Sequence, residues 1–452
     1  MLELLPFQKD VLDATKDFNR VAYYLDMGLG KTFVGSEKMM SFYSTFNLVV
    51  CQKSKIQDWI DHFKKYYSEH PYLTELYDLT NKKQLDRFMK VVNGWEDYID
   101  MYDESRDETY LVENPDPCLY IGFINYDLIF RRKELLNLKN FSLMLDESSL
   151  INNENAKRTK FILKMKPKNV ILLSGSPTSG KYEKLWSQCR LLGWNISKKS
   201  FYDKYIITTM VDYGVGFPIQ VVVGYKNVSN LKEELRDHGA VFLKTSEVLT
   251  LPEQVTQEIK INPSPEYKKF RKNSYVKLKD GTELVGDCTL TKILYSRKLC
   301  GEYSKDKLQA FDDLISSTES NLVVFYCYTS ELEKLEKIAE KNGRKCGVVN
   351  GKRKDKTDGI DILFVQYQAG AYGLNLQEFS NRIIYFSLPL GKGSCDMWEQ
   401  SKKRIHRIGQ NQTCFYYYLL VQNSIETWNL KALKEGKELT DKLFERMNNE
   451  GI

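Results

Sequence analysis

The sequence predicts an α/β chain of two parallel-sheet domains carrying helical and hairpin insertions, and three observations lead there. The chain has 452 residues, too many for one hydrophobic core. Short continuous apolar runs recur at strand length, among them VAYYL (21–25), NLVVC (47–51), SLMLD (142–146), NVILL (169–173), NLVVFY (321–326), RIIYF (382–386) and CFYYYLLV (414–421). Runs apolar on both faces are the signature of strands covered by helices on either side. Between them lie amphipathic helical segments, and the alternation lapses twice, at about 180–245 and 263–300. Neither lapse reads as part of a parallel sheet, so both are expected to project as insertions. The domains are placed at 1–245 and 246–452.

Composition narrows the class. Hydrophobic residues make up 42% and charged residues 28%, an ordinary globular balance. No apolar run reaches the ~18 residues of a membrane span. The start, MLELLPFQKD, lacks a basic segment followed by an apolar one, so no export signal is expected. Nine scattered cysteines contain no CxxC pair, which predicts reduced thiols in a cytoplasmic compartment and no structural zinc. The net charge of +6 permits a polyanionic partner without requiring one.

Residues 1–20 read as an amphipathic helix with Leu5, Val11, Leu12 and Phe18 apolar. Then VAYYLDMGLGKT (21–32) runs from a buried strand into Gly28, Leu29, Gly30, Lys31 and Thr32. Strand, glycine turn and helix start form the context of a phosphate-binding loop, in which Lys31 reaches phosphate oxygens and Thr32 holds Mg²⁺. The strict pattern fails at its first glycine, where Leu25 stands; the competing reading is a chance turn before a helix. NLVVCQ leads into a helix with Ile56, Trp59, Ile60 and Phe63 apolar. Residues 93–118 carry nine acidic residues against Arg106 alone and read as a solvated surface insertion. Next, FSLMLDESS delivers Asp146 and Glu147 at a strand's carboxyl end, where open α/β sheets bind ligands. There Asp146 would order Mg²⁺ and Glu147 polarise a water; the competing reading is an acidic pair complementing a helix dipole. NVILLSGSP ends in small polar residues suited to sensing a terminal phosphate.

In the second half, TSELEKLEKIAEKNG (329–343) reads as a helix with a Ser330–Glu333 capping box and Gly343 just past its end. Near the far end, WEQSKKRIHRIGQ (398–410) places Gln400, Arg404 and Arg407 at i, i+4 and i+7, one face of a helix. Two fixed guanidiniums suit a bidentate grip on phosphate oxygens. A solvated basic face is the alternative, unless a phosphate-binding partner exists elsewhere in the chain.

In order, the chain shows PFQKDVL (6–12), DMGLGKT (26–32), LVVCQKSKIQDW (48–59), LDESSLINN (145–153), LSGSPTSG (173–180), AGAYGLNL (369–376) and QSKKRIHRIGQ (400–410). This series resembles the superfamily-two helicase-like ATPases, specifically the Swi/Snf-type double-stranded DNA translocases, over nearly the whole chain. The resemblance implies two RecA-like domains that use ATP and Mg²⁺. It assigns Gln8 to adenine, Gly28 to Thr32 and Gly373 to the nucleotide, Thr32 and Asp146 to Mg²⁺, and Glu147 to water activation. It assigns Arg404 and Arg407 as arginine fingers supplied by the second domain, with Gln400 beside them. DNA would meet Lys53, Ser54, Ser176, Thr178, Tyr328, Thr329, Gln366 and Gln368. One departure stands out: the family's DEAH is DESS here, so Ser149 replaces a histidine that couples ATP to DNA contacts.

The function expected is DNA-stimulated ATP hydrolysis driving translocation on mainly duplex DNA, read through phosphates with little sequence preference. Strand separation or annealing and branch migration is the alternative within motors, and an ATPase-inactive nucleic-acid-binding module the alternative outside them. A monomer in the cytoplasm of a bacterial or virus-infected cell is expected, with replication or recombination proteins as further partners.

Overall fold

The structure, a computed structural model, describes residues 3–95, 98–103, 108–113, 118–178, 181–212, 218–249, 251–367 and 374–436. The chain divides into two compact units, Met1–Val248 and Leu249–Ile452. Helix α1 spans Pro6–Ala14 and strand β1 Arg20–Leu25, followed by helix α2, Lys31–Ser41. Strand β2 is Phe46–Cys51, helix α3 Ile56–Tyr67 and strand β3 Leu73–Asp78. Within the acidic stretch, β4 (Tyr98–Asp103) and β5 (Glu108–Glu113) pair antiparallel. Then come β6 (Leu119–Asn125), β7 (Ser142–Asp146), β8 (Asn169–Leu173), the antiparallel pair β9 (Ile206–Val211) and β10 (Ile219–Tyr225), and β11 (Ala240–Leu243). The first sheet runs β11-β1-β8-β7-β2-β6-β3 with every neighbour parallel.

The second unit holds β12 (Gln254–Ile261), the hairpin β13 (Tyr275–Lys277) and β14 (Glu283–Val285), then β15 (Leu322–Tyr326), β16 (Cys346–Val349), β17 (Ile362–Gln366), β18 (Arg382–Tyr385) and β19 (Cys414–Val421). Its sheet runs β12-β19-β18-β15-β17-β16, again all parallel. Alternate residues of β15 separate as a two-residue period requires: Leu322, Val324 and Tyr326 join one core cluster, Val323 and Phe325 another. The α/β reading with two parallel sheets is what the structure shows. In a parallel sheet all loops at one edge leave the strands' carboxyl ends, so the residues predicted to bind ligands share an edge in each unit.

Four local readings need correction. The first helix covers only Pro6–Ala14: Pro6 starts it, and the Thr15 hydroxyl ends it by donating to the Val11 carbonyl at 2.9 Å. Leu5 and Phe18, read as apolar positions of that helix, are exposed, whereas the polar Gln8 is buried. The segment 180–245 is not wholly an insertion, because β11 closes onto β1 in parallel register from Ala22↔Ala240 to Leu25↔Leu243. Strand β12 went unforeseen because its QVTQEIKI pattern is that of an exposed edge. The helix Thr329–Lys341 is capped not by Ser330 and Glu333 but by Glu331, whose Oε2 accepts from the Cys327 and Tyr328 amides at 2.9 and 3.1 Å. Gly343, at φ +69°, does follow it, and Gly281, at φ +88°, turns the β13–β14 hairpin. Among the described residues no helix is long and apolar enough to cross a membrane.

Candidate functional site

At the carboxyl end of β1 the chain turns through Asp26–Gly30, with Gly28 at φ +94° and Gly30 at φ +74° as the left-handed cap of α2. Leu25, at the expected first glycine, is still inside the strand opposite Leu243, so no tight turn is needed there. A Cβ on Gly30 would sit 2.3 Å from Gln8 Nε2. Gln8 holds this loop: its Nε2 donates to the Leu29 carbonyl at 3.0 Å and its Oε1 accepts from the Leu5 amide at 2.9 Å. The loop thus opens onto the positive end of an eleven-residue helix that begins with Lys31 and Thr32. Lys31 Nζ donates to the Leu25 carbonyl at 3.1 Å. It also reaches the neighbouring loop, since a Cβ on Gly175 would lie 3.1 Å from Nζ. Asp26 ties the loop to the sheet edge by accepting from the Thr245 amide at 3.1 Å.

Asp146 ends β7, two strands from β1, and Trp59 Nε1 donates to its Oδ2 at 2.9 Å. Glu147 follows at φ +57°, ψ +59°, a region that disfavours any residue with a Cβ. Such strain persists only where the surroundings impose it. Here the Tyr126 hydroxyl, buried and donating to the Asp146 carbonyl at 2.9 Å, pins the turn. Burial and the two carboxylates push the Tyr126 phenol well up, so it stays a donor. The donor set fits Mg²⁺: one oriented carboxylate, Asp146, and one hydroxyl, Thr32 at the start of α2, are the sparse protein oxygen ligands that ion takes. Among the described residues no group of three or more His, Cys, Asp or Glu could hold a metal ion.

The predicted DNA-facing residues of the first unit occupy the same edge. Lys53 and Ser54 are exposed in a short turn just past β2, and Ser176 and Thr178 follow β8. In the second unit, Tyr328 and Thr329 follow β15, and Gln366 ends β17. Gln366 Nε2 donates to the Cys327 carbonyl at 3.1 Å, which brings these residues together. Arg297, unforeseen, lies under them: its Nη2 donates to the Leu388 carbonyl at 2.7 Å and its guanidinium sits 5.0 Å from the Tyr328 ring. Gln368 and Gly373 lie outside the described residues.

The helix carrying Gln400 spans Ser394–Lys402 and stops there, so Arg404 and Arg407 do not share its face. What stops it is the segment 374–377. Leu376 donates its amide to the Arg404 carbonyl at 3.1 Å, Arg404 Nη1 donates to the Leu374 carbonyl at 3.2 Å, and Arg407 Nη1 bonds Asn375 Oδ1. Gln410 Nε2 holds the far end on the Gln377 carbonyl at 3.1 Å. Arg404 is buried, and burial lowers the Arg407 guanidinium from its usual range. Neither is a solvated basic residue. Gln400 is buried as well, its Oε1 without a hydrogen bond among the described residues. Trp398 packs in the core, donating to the Tyr418 hydroxyl at 3.1 Å.

Sequence reasoning missed Trp59, Tyr126, Gly175 and Arg297. Only Gly175 carried a local signal, as one of the small residues in SGSP.

Comparison with known proteins follows the same lines. A family model described as the SNF2-related domain matches residues 25–305. The chain is 24% identical over 467 residues to the mouse (Mus musculus) "DNA annealing helicase and endonuclease ZRANB3", covering 97% of this chain and 40% of that protein. It is 23% identical over 355 residues to the "Uncharacterized ATP-dependent helicase YqhH" of Bacillus subtilis, covering 69% of this chain and 61% of that one. Among solved structures, the Sulfolobus solfataricus SWI2/SNF2 ATPase core in complex with dsDNA is similar at 18% identity and a TM-score of 0.41, covering 99% and 93% of the two chains. The chain therefore spans about two fifths of the annealing helicase's length.

Proposed function

The chain belongs to the SNF2-related domain family, and from that premise we propose that it is an ATP-driven motor moving along DNA, mainly duplex, with little sequence preference. The observation that carries this reading is the convergence at one sheet edge of the Gly28–Thr32 loop, the oriented Asp146 and the strained Glu147. Phosphoryl transfer asks mainly for positioning and charge neutralisation. Lys31 and the amides at the start of α2 bind the terminal phosphates, and Gln8, anchored to the loop, selects the base. Thr32 and Asp146 would hold Mg²⁺, which neutralises phosphate charge when bound. Glu147 orients the attacking water and accepts its proton on the carboxylate. Arg404 and Arg407 add positive charge from the second unit, with Gln400 and Gly373 in supporting places. Lys53, Ser54, Ser176, Thr178, Tyr328, Thr329, Gln366 and Gln368 meet the DNA.

A second reading, reannealing or branch migration of DNA strands, is favoured by one observation, the 24% identity to a DNA annealing helicase across 97% of the chain. The test is ATP turnover measured without nucleic acid and with duplex, single-stranded and forked DNA and RNA. Duplex DNA is expected to stimulate most, and triplex displacement to accompany turnover. Preference for forks without triplex displacement would move the assignment to annealing. Lys31→Ala should abolish turnover in every case; wild-type rates in that variant would remove the site assignment.

A further inference from the structure

Gln188 lies in the helix Trp186–Leu191, far in sequence from every motif, and its side chain is fully buried. Its amide makes four hydrogen bonds. Oε1 accepts from the Ser148 hydroxyl at 2.8 Å and the Tyr24 hydroxyl at 3.0 Å. Nε2 donates to the Pro177 carbonyl at 3.2 Å and to Asn152 Oδ1 at 3.3 Å. That exhausts the capacity of a glutamine amide. A carbonyl can only accept, so Pro177 fixes which way the amide faces. Burial also pushes the Tyr24 phenol well up, keeping it a donor.

The partners are what separate this residue from an ordinary satisfied core amide. Tyr24 sits two residues before the Asp26–Gly30 loop. Ser148 and Asn152 bracket the turn that follows Glu147, and Pro177 lies between Ser176 and Thr178. One side chain therefore touches two of the loops that leave this sheet edge and the strand that leads into a third. Ser148 directly follows Glu147 in the chain, and its hydroxyl is the one that bonds Gln188.

We infer that Gln188 is a positioning residue which, through Ser148 and Pro177, joins the Asp146–Glu147 turn to the Ser176–Thr178 loop and so couples the residues proposed for ATP to those proposed for DNA. The inference rests on the proposed DNA-stimulated ATPase. Displacement of the Pro177 carbonyl by DNA at Ser176 and Thr178 passes through the Gln188 amide and the Ser148 hydroxyl to the residue beside Glu147.

The experiment compares the full chain with Gln188→Met, which keeps length and burial and removes all four bonds, and with Ser148→Ala, which removes one bond and adds no bulk. Turnover with and without duplex DNA, apparent DNA affinity and thermal unfolding are measured on each. Gln188→Met should cut the ratio of stimulated to unstimulated turnover by roughly fivefold or more, the scale of intersite coupling, with DNA affinity changed less. Ser148→Ala should lower the same ratio, and the double variant should be no worse than Gln188→Met, since both remove one link. A lowered melting temperature with an unchanged ratio would make Gln188 purely structural and overturn the inference. If Gln188→Met does not fold, Ser148→Ala decides alone, and a wild-type ratio there overturns it equally. A parent chain with no DNA stimulation would instead overturn the motor reading, which keeps the two failures apart.

Discussion

The two units present functional residues at the same edge of similar parallel sheets, but they hold that edge in different ways. In the first unit most loop braces are neutral hydrogen bonds around a strained backbone, Gln8 on Leu29, Tyr126 on Asp146, Gln188 on Ser148 and Pro177, with Glu147 at φ +57° among them and the single-charge bonds of Asp26, Lys31 and Asp146 beside them. In the second unit the bracing is ionic. Glu331 caps the Cys327–Tyr328 turn and accepts from the Ser387 hydroxyl at 2.8 Å, Arg297 lies against the same turn, and buried Lys307 pairs with buried Glu426 at 2.5 Å. Neutral amides fix a catalytic loop without imposing a field on the phosphates it must bind. Buried charge fixes a loop just as firmly, but losing one partner leaves the other stranded in low dielectric.

The largest test asks whether the second unit contributes chemistry or only grip. Arg404→Ala should reduce ATP turnover by roughly 10³-fold or more, the range of an arginine finger. Arg404→Lys should recover little of it, because the ammonium lacks the planar fork. Turnover near wild type in both would confine the chemistry to the first unit.

The second prediction breaks the ionic bracing. Lys307→Met leaves Glu426 without its partner, and burial already raises that carboxyl while Lys307 holds it down. The variant should lose about 3–5 kcal/mol of stability in denaturant unfolding, whereas Lys307→Met with Glu426→Leu should come close to the parent. A cost under about 1 kcal/mol for the single change would mean that the pair does not hold this region.

The third concerns a buried histidine of the first unit, one neutral group among neutral braces. His62 meets the Ser36 hydroxyl at 2.9 Å, and Tyr67 donates to that same oxygen at 2.9 Å. Burial, assisted by Lys65, lowers His62 to about 4 from its usual 6.5. The folded unit therefore refuses a proton that the unfolded chain accepts below pH 6.5. Its stabilising effect is complete above that pH and is lost as the pH falls toward 4, at about 1.4 kcal/mol per pH unit. Urea midpoints between pH 7 and 4.5 should show this slope, followed through Trp59, whose ring lies 5.7 Å from His62. His62→Gln should flatten it.

How much of this was legible in the sequence depends on how far apart the interacting residues lie. Lys31, Asp146 and Glu147 could be read because a buried strand followed by a particular turn is recorded in a few consecutive residues. Trp59 and Asp146 are 87 residues apart, Ser148 and Gln188 are 40 apart, and Arg297 and Leu388 are 91 apart. No local pattern marks such pairs, and Trp59 looked like one more member of an apolar helix face. The helix expected to run through Arg407 failed for the same reason. Its spacing is helical, but bonds to Leu374, Asn375 and Leu376, the two side-chain bonds reaching 30 and 32 residues upstream, outcompete the helix after Lys402. The parallel sheets were legible because burial on both faces leaves a continuous apolar run. The edge strand β12 was not, because its burial is partial.

The smallest prediction returns to backbone strain, which both units contain. Left-handed residues other than glycine include Glu147 in the first unit and Ser274 in the second, at φ +54°. Ser274 caps the helix Pro265–Asn273, its amide donating to the Phe270 carbonyl at 2.7 Å, and it touches none of the residues assigned to ATP or DNA. Glycine adopts this conformation without the Cβ conflict, at some entropic cost in the unfolded chain. Ser274→Gly should therefore stabilise the chain by about 0.5–1 kcal/mol, a rise of roughly 1–4 °C in melting temperature, with ATP turnover unchanged. Glu147→Gly relaxes the same backbone conformation and should also not destabilise the fold, yet it should lose turnover. If instead both substitutions left turnover intact, the strain at Glu147 would be an ordinary turn geometry like that at Ser274, and the first unit's loops would not be organised around its carboxylate.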